Sequence, residues 1–196
     1  MVLSPSTHVH LDHATSPDPN SPGLLEKTRF SSIWKVFSFR PRQFYKNGLY
    51  DYWGEKLDSG CVGSCEPLVQ EENIVGIAAA ISSSQLFSKD RFWNQLFPRV
   101  FALAQRAFST AEWDESGEGS WDVFSNDDFL NHFAMFRYGL KFELKALERE
   151  GILYHLPKPG VKITDTDVMF NSLYGNSIMI RRVGDNEWEN CEDARG

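Results

Sequence analysis

Large apolar residues recur along this chain at helical spacing in two places, and short apolar runs separate those places. Phe129, Phe133, Phe136, Leu140, Leu144 and Leu147 follow one another at intervals of three and four, which lays a single stripe along a helix. Ser125 or Asn126 can cap its start, and Ser125 with Asp128 forms a capping-box pattern. Gly151 stands where a left-handed residue closes a helix, while Gly139 is a weak point inside it, costing about 1 kcal/mol relative to alanine. Upstream, Trp93, Leu96, Phe97, Val100, Phe101, Ala104 and Ala107 predict a buried face over residues 89–107. Ser88 caps this helix, Asp90 suits its dipole, and Pro98 either kinks it or starts a second helix.

The short runs read as strands. Ile74 to Ile81 is apolar and rich in small residues, as a strand buried between layers requires, and it ends in Ser82-Ser83-Ser84. Trp121 to Phe124, Ile152 to Leu156 and Ser177 to Ile180 are further candidates, the second closed by Pro157-Lys158-Pro159-Gly160. This order predicts an α/β fold over residues 74–184, a small mostly parallel sheet flanked by helices. Residues 1–25 are rich in proline and serine, with almost no bulky side chains after Leu11, and read as a disordered N-terminal arm. Residues 26–73 form an aromatic and basic segment running into a linker, and residues 185–196 form a flexible acidic tail.

Composition narrows the classes. A chain of 196 residues with 41% hydrophobic and 14% aromatic content can bury a real core. A formal charge of -7 opposes nucleic-acid binding by the chain as a whole. The segment Phe30 to Trp53 is locally basic and dense in aromatics, a pattern better explained by rings packed on the main body than by stacking on bases. Glu112 to Asp128 is an acidic run that reads as a solvated loop. No stretch is apolar enough to span a membrane and the first thirty residues lack a secretory pattern, so a soluble cytoplasmic protein is expected. Cys61, Cys65 and Cys191 are odd in number and lack the second pair a zinc site needs, so free thiols are expected.

Two motifs carry candidate chemistry. Thr7-His8-Val9-His10-Leu11-Asp12-His13 has a His-x-His-x-Asp-His spacing that resembles the metal motif of the metallo-β-lactamase superfamily. With only a short arm before it, the expectation is loose metal binding by a flexible histidine cluster. The second motif is Val161 to Phe170, where Asp165 and Asp167 follow a short apolar run. Together with the strand and turn Ile74 to Ser84, the segment Ile163-Thr164-Asp165-Thr166-Asp167-Val168-Met169-Phe170 resembles the nucleotide-sugar-binding half of GT-A glycosyltransferases. That resemblance implies a complete or partial metal-dependent glycosyltransferase. Asp165 and Asp167 would hold Mn²⁺ or Mg²⁺, Ser82, Ser83 and Ser84 would lie near the nucleotide, and the partners would be a nucleotide sugar and an acceptor. A hard cation on carboxylate oxygens would offset the charge of a diphosphate leaving group.

Three other readings compete. Thr164 with Asp167 is also a capping box that would start a short helix through Val168, Met169 and Leu173. The chain could be a non-catalytic α/β module that docks an acidic partner, or joins a larger assembly, through Phe30 to Trp53. A winged helix built on Phe129 to Glu150 and the Ile152 to Ile163 hairpin is disfavoured by its acidic flanks.

Overall fold

A computed structural model describes residues 1–16, 18, 21–24, 30–47, 70–82, 86–115, 126–181 and 183–191. The fold is mixed α/β, with six helices and small sheets among the described residues. In chain order these are β1 (Val2–Leu3), α1 (Ser6–Val9), α2 (Ile33–Phe37), β2 (Gly76–Ile77), α3 (Lys89–Leu96), α4 (Arg99–Phe108), α5 (Glu112–Glu115) and α6 (Asp127–Arg149). They are followed by β3 (Gly160–Ile163), β4 (Val168–Asn171), β5 (Ile178–Ile180) and β6 (Glu189–Cys191).

Helix α6 follows its periodicity. Asn126 caps it, accepting a 2.9 Å hydrogen bond from the Phe129 N–H, and Phe129, Phe133, Leu140, Leu144 and Leu147 are buried. At the other end Gly151 takes φ +65° while its N–H and that of Ile152 return to the Glu148 and Leu147 carbonyls, a Schellman closure. Helices α3 and α4 are the two halves of the longer helix expected, separated at Phe97 and Pro98, and Ser88 caps the first with a bond from the Arg91 N–H.

The buried face of α4 differs from expectation. Ala104 and Ala107 are exposed, and the fully buried line is Arg99, Ala102 and Arg106. Two arginines take the inner face because carbonyl groups from neighbouring segments meet their guanidinium donors there.

The core gathers Leu11, Ile33, Val36, Phe37, Ala102, Trp113, the α6 stripe and Tyr174. Phe37 is its centre, with the rings of Trp113, Phe129, His132, Phe133 and Phe136 at centroid distances of 4.9 to 6.3 Å. In the described part of the aromatic segment, Phe37 and Phe39 are buried and Trp34 packs on the core. Most of that segment, including Cys61 and Cys65, lies outside the described residues.

The sheet is where expectation and structure part. β1 and β2 pair in parallel, Val2 with Gly76 and Leu3 with Ile77, and bridges His10–Ala80 and His13–Leu24 prolong parallel contact. β3 pairs with β4 and β5 with β6, both antiparallel. A single mostly parallel sheet is therefore not what the described residues form: there are three separate two-stranded pairs. Ile152 to Leu156 does not form a strand, and Trp121 to Phe124 lies outside the described residues. β6 gives regular structure to part of the stretch expected as a tail.

The N-terminal stretch is not a solvated arm. Val9, Leu11 and Ala14 are fully buried. Their segment is stitched to the Ile74–Ile81 stretch by Ala78 N–H to Leu3, Ala80 N–H to Val9 and Leu11 N–H to Ala80 bonds of 2.7 to 3.0 Å. Three of the four prolines that suggested disorder, Pro17, Pro19 and Pro22, lie after Ala14, whereas the first fourteen residues carry their own apolar positions and a parallel partner.

Candidate functional site

The segment of residues 8–14 is tied to α4 by Arg99, which is 1% exposed and donates to the Leu11 and His13 carbonyls. Its Nη1 donates to the His13 carbonyl at 3.0 Å and the Ser31 carbonyl at 2.9 Å, and its Nε to Gln95 at 3.0 Å. Nη2 donates to the Leu11 and Gln95 carbonyls. One side chain thus ties three stretches far apart in sequence. Burial lowers its pKa to about 10, opposed by the fields of Tyr174 and Asp12, so the guanidinium stays charged at neutral pH.

A second buried arginine, Arg106, donates from Nε to the Phe39 carbonyl at 2.9 Å and pairs through Nη2 with Asp114. Its guanidinium lies 4.6 Å from the centre of the Trp113 ring. Burial pushes the Asp114 carboxyl up and the Arg106 guanidinium down, and their mutual attraction opposes both shifts. Arg106 and Asp114 form part of the wall of a groove of about 590 Å³ with Arg42, Ile74, Ile77 and Thr110.

Four histidines are set apart by their surroundings. His8 is turned inward by α1, bonds Thr7 Oγ1 at 2.9 Å and packs on Phe39; burial, assisted by Lys35, lowers its pKa to about 3. His155 meets Thr15 Oγ1 at 2.9 Å, and burial together with Arg99 lowers it to about 4. Both are neutral at pH 7. His10 and His13 face each other with ring centroids 5.9 Å apart, and Asp12 lies beside them. Of the four residues in the His-x-His-x-Asp-His spacing, the structure brings together His10, Asp12 and His13, and sends His8 elsewhere.

The paired aspartates sit differently. Residues 164–167 are the loop of the β3–β4 hairpin, closed by Thr164 N–H to the Asp167 carbonyl at 2.8 Å and Asp167 N–H to Thr164 Oγ1 at 3.0 Å. Asp165 and Asp167 are exposed, and neither lines the groove above. The Thr164–Asp167 bonds of a capping box are present, but a strand follows them and no helix starts there. Ser82 is exposed after the β2 segment, while Ser83 and Ser84 lie outside the described residues.

Arg99, Arg106 and Asp114 escaped sequence reasoning. Their signal was present as arginines at i and i+7 of α4 flanking Ala102, a polar line at helical spacing that hydropathy alone assigns to solvent.

No family model matches the chain. Among curated proteins it is 25% identical over 203 residues to N,N'-diacetylchitobiase of Vibrio harveyi, spanning 100% of this chain and 22% of that protein. It is 26% identical over 216 residues to beta-hexosaminidase of Vibrio vulnificus, spanning 100% of this chain and 24% of that protein. The chain therefore spans less than a quarter of the length of the curated relatives it matches. Among solved structures it resembles the GH20 β-N-acetylhexosaminidase of Streptomyces coelicolor, with TM-score 0.48 and 17% identity over 79% of this chain and 23% of that chain. A GH20 exo-β-N-acetylglucosaminidase of Vibrio harveyi, in complex with N-acetylglucosamine, gives TM-score 0.47 and 20% identity over 79% of this chain and 18% of that chain.

These relatives overturn the glycosyltransferase resemblance. The curated relatives, a diacetylchitobiase and a beta-hexosaminidase, point to glycoside hydrolases of the β-N-acetylhexosaminidase kind in place of GT-A enzymes, and with that the nucleotide sugar is withdrawn as a partner. The competing module that docks an acidic partner falls by the same finding. Strand, helix and Asp-x-Asp are short features that recur in unrelated folds, whereas the chitobiase match runs the whole length of the chain. Among the described residues no helix is long and apolar enough to cross a membrane.

Proposed function

We propose that the chain works as part of a β-N-acetylhexosaminidase-type glycoside hydrolase and recognises β-linked N-acetylglucosamine. The observation that carries this reading is the end-to-end similarity to a diacetylchitobiase. The groove beside Arg106 supports it in kind: its size falls within the range of small-ligand pockets, and it combines charged groups with the apolar edges of Ile74 and Ile77, as the two faces of a sugar ring require.

Within that reading the described residues serve as frame and groove wall. Glycosidases need a carboxylic acid placed at the leaving oxygen, and the two buried carboxylates here have other surroundings. Asp114 is ion-paired with Arg106, and Asp12 lies among histidines in the field of Arg99. Neither is assigned a proton-transfer role.

The test is a melting curve with N,N'-diacetylchitobiose and, in parallel, cellobiose, which lacks the acetamido groups. At a hundredfold excess over Kd, linkage contributes about 2.7 kcal/mol. For a chain of this size that corresponds to a rise in Tm of roughly 5–10 °C. A rise with the acetamido sugar alone is expected; no rise with either sugar, or equal rises with both, overturns the reading.

A further inference from the structure

The geometry points to a mononuclear binding site for a divalent transition cation of the zinc class, formed by the side chains of His10, Asp12 and His13. The ligand atoms of these three residues all lie within 4.8 Å of one another, the one such grouping of His, Cys, Asp and Glu side chains found among the described residues. His10 Nδ1 lies 4.0 Å from Asp12 Oδ1. A tetrahedral ion with metal–ligand bonds of about 2.0–2.2 Å holds its ligands about 3.3–3.6 Å apart, so the cluster closes on an ion through side-chain torsions of roughly an ångström.

A second observation separates this cluster from a casual meeting of polar groups. The Asp12 side chain is more than nine-tenths buried and its Oδ1 has no hydrogen-bond partner, although it faces the two imidazoles. A buried carboxylate oxygen left without a partner costs about 1–3 kcal/mol or more, and a cation between the three groups removes that cost. Arg99 is the other charge that acts on Asp12, but its hydrogen bonds go to the carbonyls of Leu11, His13, Ser31 and Gln95, which leaves the carboxylate open to an ion.

The donor set selects the ion. Two imidazoles and one carboxylate suit zinc, and similarly cobalt or nickel, better than the all-oxygen sites preferred by calcium or magnesium. His10 is about a third exposed while Asp12 and His13 are buried, so the ion enters from the His10 side and a solvent molecule completes four-coordination there. The backbone holding the three residues is fixed from both sides, by Leu11 N–H to Ala80 at 2.7 Å and by Arg99 on the His13 carbonyl. That rigidity makes the site a built one and keeps the order of ligands along the chain.

The test is read without sugar, so its failure and the failure of the hydrolase reading are distinguishable. The full chain is titrated with Co²⁺ and with Zn²⁺ by calorimetry, and the Co²⁺ complex is followed by its visible absorption. One equivalent, an absorption of four-coordinate strength and no thiolate charge-transfer band are expected. H10A, at the partly exposed position, and D12N, which keeps the side-chain shape, each weaken binding at least tenfold, with circular dichroism showing both variants folded. Absence of binding to the wild-type chain, a thiolate band that places the ion on cysteine, or unchanged affinity in both folded variants overturns the proposal.

Discussion

The two ends of the described chain reverse the roles their composition suggests. The first fourteen residues contain three histidines, an aspartate and several hydroxyls, yet Val9, Leu11 and Ala14 are sealed in the interior. The C-terminal hairpins contain Val161, Ile163, Val168, Met169 and Met179, yet all five are exposed, Ile163 to 76%. The difference lies in what each backbone is offered. The N-terminal segment has a parallel partner in the β2 stretch and an arginine that satisfies its carbonyls, so its polar side chains are carried inward with it. The hairpins satisfy their hydrogen bonds within each two-stranded pair and place most of their side chains outside the core. Apolar content alone does not decide burial; a segment is buried where its backbone is tied to the elements that form the core.

The largest expected effect comes from removing the group that holds the N-terminal segment down. Arg99→Met leaves four buried carbonyls short of a donor and should cost about 3–5 kcal/mol in urea unfolding. A loss under 1 kcal/mol would mean that the segment is not held by this side chain. Next, Leu11→Ala and Ile163→Ala set the two ends side by side. The first should cost about 2–4 kcal/mol and the second less than about 0.5, because Leu11 is 1% exposed. Equal losses would erase the contrast.

A pH series addresses the buried histidines. The folded-state pKa values of His8 and His155 are depressed, to about 3 and about 4, from an ordinary 6.5. Above pH 6.5 both states are neutral and these groups leave stability unchanged. As pH falls below 6.5 the unfolded chain takes up protons that the folded chain refuses, so stability declines until the folded-state values are reached. Melting curves from pH 7 to pH 4 should show this fall, and His155→Gln should make it shallower; an identical slope in the variant would place His155 in solvent. A local effect is expected just past the end of α6. Gly151→Ala meets no steric neighbour but forces φ +65° on an alanine, which should cost about 1 kcal/mol.

What could be read from the sequence follows from where the information lies. Helix α6 was legible because its stripe, its cap at Asn126 and its terminator at Gly151 are all local and agree. The break at Pro98 was legible for the same reason. The face of α4 was not, since Arg99 and Arg106 are buried by acceptors contributed from Leu11, His13, Ser31 and Phe39, which no local window contains. The N-terminal segment was misread because its partner, Gly76 to Ala80, lies far downstream and because its proline-rich continuation dominated the average. Asp165 and Asp167 drew attention as a metal pair, but Thr-Asp-Thr-Asp is also turn chemistry, and a hairpin loop is what it forms. The His-x-His-x-Asp-His spacing was visible from the start; that three of its four members converge required the fold.

Amide hydrogen exchange most directly tests the claim that residues 1–14 are a built part of the fold and carry a site. The amides of Leu11 and Ala80, which bond across the parallel contact at 2.7 and 3.0 Å, should exchange as slowly as those of Leu144 and Leu147 in α6. Exchange at Leu11 as fast as at the exposed Thr166 of the β3–β4 loop would contradict the account, since neither the Arg99 clamp nor the His10, Asp12 and His13 cluster could then persist.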